Sequence, residues 1–309
     1  MSRPRFVVGV DIGATNTRCS LVEADSFALR GEERFGTRQA GGPEGFAARL
    51  AEAVGALGGE PAAVGIGVAG LIDTPRGTIL FSPNLPGWSD FGLGPELSRL
   101  TGLPVAVEND ANMAALGEQR AGAARGLANV VCLTLGTGVG GGFVFEGRLY
   151  RGAAGQAGEV GHLTVERRGG AVCGCGRRGC LETIASATGI ARLAREAIAR
   201  GRRTSLKADE LSALAVAQAA EAGDRLAKGV FRRAGNALGF ALAQLFNLLD
   251  LEAAVLTGGV AAAWGLFMPA LERELHAQLL PRKQARVLRG SLADSAGVIG
   301  AACAVIDRL

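Results

Sequence analysis

Two stretches of this chain can be laid on one another without a gap. VVGVDIGATNTRCSLVE occupies residues 7–23, and VVCLTLGTGVGGGFVFE occupies residues 130–146, 123 positions further along. Val7 meets Val130, Val8 meets Val131, Gly13 meets Gly136 and Glu23 meets Glu146. Each copy reads as an apolar strand, a turn of small residues and a second apolar strand, a glycine-rich β-hairpin. Two unrelated hairpins would give a match this short, but their separation favours a duplicated fold with a nucleotide between its halves. The chain is long enough for that. Its 309 residues suggest one large domain or two ordinary ones, and 48% hydrophobic with 20% charged residues excludes intrinsic disorder.

Further strand-like runs are Ala63–Ala69, Pro104–Glu108 and Ala253–Thr257, beside the hairpin arms Phe6–Asp11, Arg18–Glu23 and Asn129–Leu135. Helical patterns fill the intervals at Glu44–Leu57, Ala111–Ala121, Leu181–Arg200, Ala208–Glu221, Arg225–Leu249, Phe267–Leu279 and Ala296–Ile306. Leu226, Val230, Ala234, Leu238, Leu242, Leu245 and Leu249 mark one face of the longest. Strands alternating with helices predict an α/β fold with at least one mixed sheet.

In the first hairpin Asp11 closes the strand, and Gly13-Ala14-Thr15-Asn16 makes the turn. Backbone N–H groups and the Thr15 hydroxyl suit phosphate oxygens there. A carboxylate beside phosphates needs a shared cation, so Asp11 is a candidate Mg²⁺ residue, directly or through water. Leu135-Gly136-Thr137-Gly138 offers the same turn without the carboxylate. Neither is a Walker A loop or a G-x-G-x-x-G opening a helix. Each alone reads as an ordinary hairpin. Together with Thr257-Gly258-Gly259 after a third apolar strand, they point to ATP.

His162, Cys173, Cys175 and Cys180 form H-x10-C-x-C-x4-C, a filled Cys₃His set suited to structural Zn²⁺. Reduced core cysteines and a stray disulfide are the rival readings, and the neighbouring Arg177-Arg178 and glycines argue against a place in the core. Glu108-Asn109-Asp110 ends a strand and opens a helix, where a helix cap is the plain explanation. Glu159 stands three residues before His162, and Glu182 two after Cys180. A metal at the cluster would gather these groups and leave one His162 ring nitrogen for a ligand. Carboxylates with an Asn and a His suit a polyhydroxylated molecule such as a sugar.

DIGATNTR (11–18), PNLPGW (83–88), VENDANMAALGE (107–118), LGTGVGGG (135–142), GEVGH (158–162), CGCGRRGCLE (173–182) and LTGGV (256–260) occur in the order found in the ROK family. The chain resembles that family over nearly its whole length. The resemblance implies an actin-like, hexokinase-type ATPase fold, two duplicated ribonuclease H-like domains with a cleft between them. Residues 1–118 plus 294–309 would form the smaller domain and 119–293 the larger. It implies phosphorylation of a hexose by MgATP, with Asp110 as general base. Asn84, Asn109, Asp110, Glu159, His162 and Glu182 would bind the sugar. Asp11 would serve Mg²⁺, while Gly13, Thr15, Gly136, Thr137 and Gly138 would line the phosphates and Gly258 and Gly259 the adenosine. Ala14 departs from the pattern, which most often has Gly; a positive φ there would strain it. GCLETIASATGI (179–190) resembles the continuation seen in the family's glucokinases, so glucose is the first expected substrate. N-acetylmannosamine kinases and fructokinases of the family share these ligands. A homodimer or dimer of dimers is implied likewise.

A net charge of +4 without a basic run gives no sign of a nucleic-acid or membrane partner. The family's repressors add an N-terminal helix-turn-helix domain, for which a hairpin starting at residue 6 leaves no room. The start MSRPR leads into no signal-peptide pattern, and the uncharged stretch Ala253–Leu271 is broken by glycines and Pro269, so the expected location is the cytoplasm. Fifteen of the 48 glycines fall between Gly136 and Gly179, along the phosphate, sugar and cysteine motifs.

Overall fold

In the computed structural model, which describes residues 4–82 and 85–309, the first hairpin forms from β1 (Phe6–Ile12) and β2 (Asn16–Glu23), with Asp11 opposite Arg18. There follow β3 (Leu29–Gly36), α1 (Pro43–Leu57), β4 (Val64–Val68), β5 (Leu71–Asp73), β6 (Thr78–Phe81), α2 (Leu93–Thr101), β7 (Val105–Asn109) and α3 (Asp110–Arg120). The second hairpin is β8 (Val130–Leu135) and β9 (Val139–Phe145), followed by β10 (Arg148–Tyr150). Helices α4 (Glu182–Ala185), α5 (Ala187–Ala199), α6 (Ala213–Glu221) and α7 (Arg225–Leu249) lead to β11 (Ala253–Thr257). Then come α8 (Trp264–Gln278), β12 (Val287–Arg289) and α9 (Ala296–Ile306).

The repeat seen in the sequence extends to topology. One sheet has the order β3-β2-β1-β4-β7 and the other β10-β9-β8-β11-β12. In each, a hairpin strand pairs in parallel with the next strand of the chain that joins it: β1 with β4, and β8 with β11. Register puts Asp11, Gly67 and Glu108 in one row across β1, β4 and β7. No described helix is long and apolar enough to cross a membrane.

The chain divides into two compact units, Met1–Ala128 with Gly142–Gly158 and Ser291–Leu309, and Asn129–Gly141 with Glu159–Gly290. Residues 119–128 and 142–158 thus go with the first unit. Glu118 accepts the Ala123 N–H at 2.8 Å and Gln119 donates to the Leu127 carbonyl at 2.9 Å. Gly142 lies so close to Ala115 that a Cβ there would stand 2.7 Å from its methyl.

Departures from the sequence reading have local causes. The expected helix over Leu181–Arg200 is two helices, because Ser186 is extended (ψ 166) and its hydroxyl caps α5 by accepting the Gly189 N–H at 3.0 Å. Strand β3 alternates charged and half-buried residues, a pattern without an apolar run. Helix α2 starts after a glycine that makes no side-chain cap.

In the first unit α9 is buried along its whole length except at Gly297 and Ile306. Val298, Ala302 and Val305 pack with Val7, Val22 and Ala106 of the sheet and with Ala63 just before β4. Ile299, Ala301, Cys303 and Ala304 pack with Met113 and Leu116 of α3. Glycine makes this approach possible: a Cβ on Gly65 of β4 would overlap the Ala301 carbonyl, and one on Gly300 would overlap that of Met113. Gly300→Ala is therefore expected to cost about 1–3 kcal/mol or more through forced separation of α3 and α9. Gly229→Ala, in α7 with open space at the position, should instead gain about 0.5–1 kcal/mol. Urea unfolding of both variants checks the contrast; equal effects would remove the packing argument.

Candidate functional site

The functional residues of the first unit gather where β1 and β7 end. The Gly13–Asn16 turn is closed by the Gly13 N–H donating to the Asn16 carbonyl at 3.0 Å. Thr37 buttresses it from outside, its N–H donating to the Thr15 carbonyl at 2.9 Å and its hydroxyl to that of Gly13 at 2.8 Å. Thr15 itself is exposed. Ala14 is not among the described residues with positive φ, so the turn accepts alanine without strain.

Asp11 lies against the first turn of α9, where a Cβ on Gly297 would come within 2.9 Å of its carboxyl carbon. Burial pushes its pKa from 3.8 to about 6, the negative charges of Asp110 and Asp294 add to the rise, and Arg18 opposes it. Arg18 is held there by a 2.5 Å bond to Glu32 and a 2.8 Å bond to the Asp294 carbonyl. A shared cation would relieve the repulsion between Asp11 and Asp110, which makes Asp11 chemically suited to Mg²⁺.

Asn109 and Asp110 open α3. The Asn109 side-chain oxygen accepts the N–H groups of Ala111 and Asn112 at 2.9 and 3.2 Å, and its amide donates to the Gly70 carbonyl at 3.2 Å. It is thus a helix cap that also ties β7 to the segment after β4. One carboxylate oxygen of Asp110 accepts the Ala111 N–H at 2.9 Å. Beneath them Glu108, only 3% exposed, accepts from the Asn109 N–H and the Asn112 amide at 3.0 Å each, and from Arg151 at 2.5 Å. Glu108 is buried whereas the Arg151 side chain is 36% exposed, so removing Arg151 would leave a buried carboxylate short of its charged donor, and the pair helps to fix the Asn109-Asp110 corner.

The second unit carries the other motifs. The Gly136–Gly138 turn is closed by the Gly136 N–H donating to the Gly138 carbonyl at 3.0 Å. Gly136, Thr137 and Gly259 border a cavity of about 540 Å³ whose walls include Ala213, Leu214, Ala217 and Phe231, with Gln218 and Glu221 at its polar margin. An apolar slot beside a phosphate-type turn has the form of a nucleoside site. Gly258, with φ +90°, makes the bend between β11 and this cavity.

His162, Cys173, Cys175 and Cys180 do come together, their ligand atoms all within 4.8 Å of one another. The Cys175 and Cys180 sulfurs are 3.7 Å apart, and the Cys173 sulfur is 3.6 Å from His162 Nδ1. Tetrahedral thiolate bonds of about 2.3 Å and an imidazole bond of about 2.0 Å set spacings of about 3.8 and 3.5 Å, so the residues fit a four-coordinate divalent ion. The Arg177 backbone N–H, helped by its side chain, draws the exposed Cys175 thiol down to about 6, while burial pushes Cys173 up to about 12. With Nδ1 facing the thiols, His162 Nε2 is left 3.7 Å from Glu159. One Glu182 oxygen accepts the Val139 N–H at 3.1 Å and the other is 3.6 Å from the Cys173 sulfur. Asn84 lies outside the described residues.

The ROK family model matches residues 7–308. The chain belongs to the ROK family. A glucokinase of Halalkalibacterium halodurans is 40% identical over 96% of this chain and 93% of its own length. One of Thermotoga maritima is 36% identical over 98% of both. The crystal structure of a ROK family glucokinase from Streptomyces griseus in complex with glucose and AMPPNP shares 35% identity and a TM-score of 0.82, covering 97% of this chain and 98% of that one. This ROK chain accordingly has the actin-like ATPase fold.

The sequence reading has Glu108 only as the strand end beside Asn109 and Asp110, without its bracing role, and does not single out Thr37 or Arg151. Glu108 stands in the VENDANMAALGE motif and its burial at a strand end was the available signal. Thr37 and Arg151 act on groups distant in sequence and leave no periodic trace.

Because folding raises the Asp11 pKa, its contribution to stability is complete below about pH 4 and is lost as pH rises through about 6. Asp11→Asn is expected to be more stable than the parent at pH 7 without divalent cations, by up to about 3 kcal/mol, the gap closing toward pH 4. Urea titrations across that range test it, and a gap that does not vary with pH would discard Asp11 as its source.

Proposed function

We propose that this chain transfers the γ-phosphoryl group of ATP to the primary hydroxyl of a hexose, glucose first, giving glucose 6-phosphate and ADP. The observation carrying this reading is Asp110, held at the start of α3 beside Asp11 in a chain so similar, over nearly its full length, to named glucokinases.

Asp110 takes the proton from the sugar hydroxyl as that oxygen attacks the γ-phosphorus in line. The new O–P bond forms while the bond to the bridging oxygen breaks, and ADP leaves with that electron pair. Asn109, Glu159, His162 and Glu182 hold the other hydroxyls through charge-assisted or neutral hydrogen bonds. Support comes from Asn109's fixed amide and from the His162 Nε2 directed to Glu159 rather than to the thiols. Asp11 holds Mg²⁺ directly or through water. Gly13 and Thr15, with Gly136, Thr137 and Gly138, receive the phosphates, and Gly258 and Gly259 border the adenosine. His162, Cys173, Cys175 and Cys180 would hold Zn²⁺ as a structural ion that braces His162. In this reading the N-terminal part with the last helix supplies the base, Asn109 and the first phosphate turn, and the middle of the chain supplies the other sugar ligands, the second phosphate turn and the nucleoside ligands. The enzyme works in the cytoplasm as a homodimer or dimer of dimers.

A coupled ADP-release assay over glucose, mannose, fructose, N-acetylmannosamine and N-acetylglucosamine should show glucose with the highest kcat/KM; preference for an N-acetylated sugar would reassign the substrate. Asp110→Ala should lower kcat by about 10²–10⁴ while AMPPNP still binds. Near-normal turnover would end its role as base. Metal analysis should give about one zinc per chain, reduced in Cys175→Ser.

A further inference from the structure

The segment that leaves the cysteine cluster is bonded to the phosphate turn and its exit at three residues, Gly136, Thr137 and Val139. Cys180, the last of the four cluster residues, is followed two positions later by Glu182, whose carboxylate accepts the Val139 N–H at 3.1 Å. The Ala187 N–H donates to the Gly136 carbonyl at 2.8 Å. The Thr188 hydroxyl donates to the Thr137 carbonyl at 2.8 Å and is itself 2.9 Å from the hydroxyl of the capping Ser186. Gly138 lies directly under Glu182, with no room for a Cβ beside the carboxylate.

These bonds have a directional consequence. In a trans peptide the C=O and the following N–H point opposite ways, and the described residues contain no cis peptide. Pinning the Gly136 and Thr137 carbonyls toward the start of α5 therefore turns the N–H groups of Thr137 and Gly138 away from it, as an anion-binding turn requires. The pins themselves rest on the cluster. Cys180 is fully buried, and its carbonyl accepts the Thr183 hydroxyl at 2.7 Å and the Thr183 N–H at 3.0 Å, which fixes the start of the segment that carries Glu182, Ala187 and Thr188.

We propose that Glu182 and Thr188 are positioning residues for the Gly136–Gly138 turn, and that through them filling of the Cys₃His site strengthens nucleotide binding. The proposal rests on the nucleotide reading given above and adds to it a link between metal content and donor affinity, separate from any effect of His162 on the sugar.

The test measures AMPPNP affinity by calorimetry with Mg²⁺, on zinc-loaded and chelator-treated wild type, and on zinc-loaded Thr188→Val and Thr188→Ser. Metal removal and Thr188→Val should each weaken AMPPNP about tenfold. Thr188→Ser, which keeps the hydroxyl, should bind as wild type does. Glucose affinity of Thr188→Val should stay within about twofold, and chelation of that variant should cost less than in wild type because the two changes break one linkage. Unchanged AMPPNP affinity in folded metal-free wild type, or in Thr188→Val, overturns the proposal. Should chelation unfold the protein, the loaded Thr188→Val and Thr188→Ser pair decides alone, by the same criterion. Loaded wild type that binds no AMPPNP removes the nucleotide reading and this inference with it.

Discussion

The first unit depends on backbone meeting backbone. Helix α9 reaches the sheet and α3 at points where Gly65 and Gly300 have no side chain, and the Ala301 carbonyl of α9 and the Met113 carbonyl of α3 occupy the space that methyl groups would fill. Such proximity multiplies dispersion contacts along the helix and leaves little freedom for it to shift. The same approach sets the first turn of α9 against Asp11. The electrostatic character of that carboxylate, raised toward neutrality by burial and by Asp110, thus follows from how closely a helix packs. Glycine content is the means of this packing as well as of tight turns.

Two buried carboxylates carry much of the remaining order. Glu108 accepts three donors and secures the corner bearing Asn109 and Asp110. Glu118, with no exposed surface, accepts the N–H groups of Ala123, Ser291 and Leu292 at 2.8, 3.1 and 3.0 Å. Each charge is tolerated because several donors converge on it. In the second unit the Glu182 carboxylate accepts the Val139 N–H, while Ala187 and Thr188 bind the turn after β8 to the start of α5.

What could be read beforehand was what local sequence encodes. Apolar runs marked β1, β8 and β11, and the heptad-like face of α7 marked both of its ends. The hairpin repeat foretold matching sheets, since a duplicated strand–turn–strand pattern imposes the same pairing twice. The cysteine set was legible because its members lie close in sequence and their chemistry is narrow. What stayed hidden depended on distant partners. Nothing local distinguishes Thr188 from any helix-opening threonine until the Thr137 carbonyl is beside it. Arg151 reads as one more surface arginine until Glu108 is found buried against it. The break at Ser186 was masked because the apolar spacing continues on both sides of it.

The place of α9 in the chain bears on how the protein is made. The core around Val7, Val22, Ala63 and Ala106 lacks Val298, Ala302 and Val305 until all of the second unit has been synthesised. A nascent chain therefore carries an uncovered face of its first sheet through the translation of more than half its length. Contacts of such long sequence separation form late and slowly, and the second unit can complete its own fold first. The strands that emerge first are thus among the last to be covered.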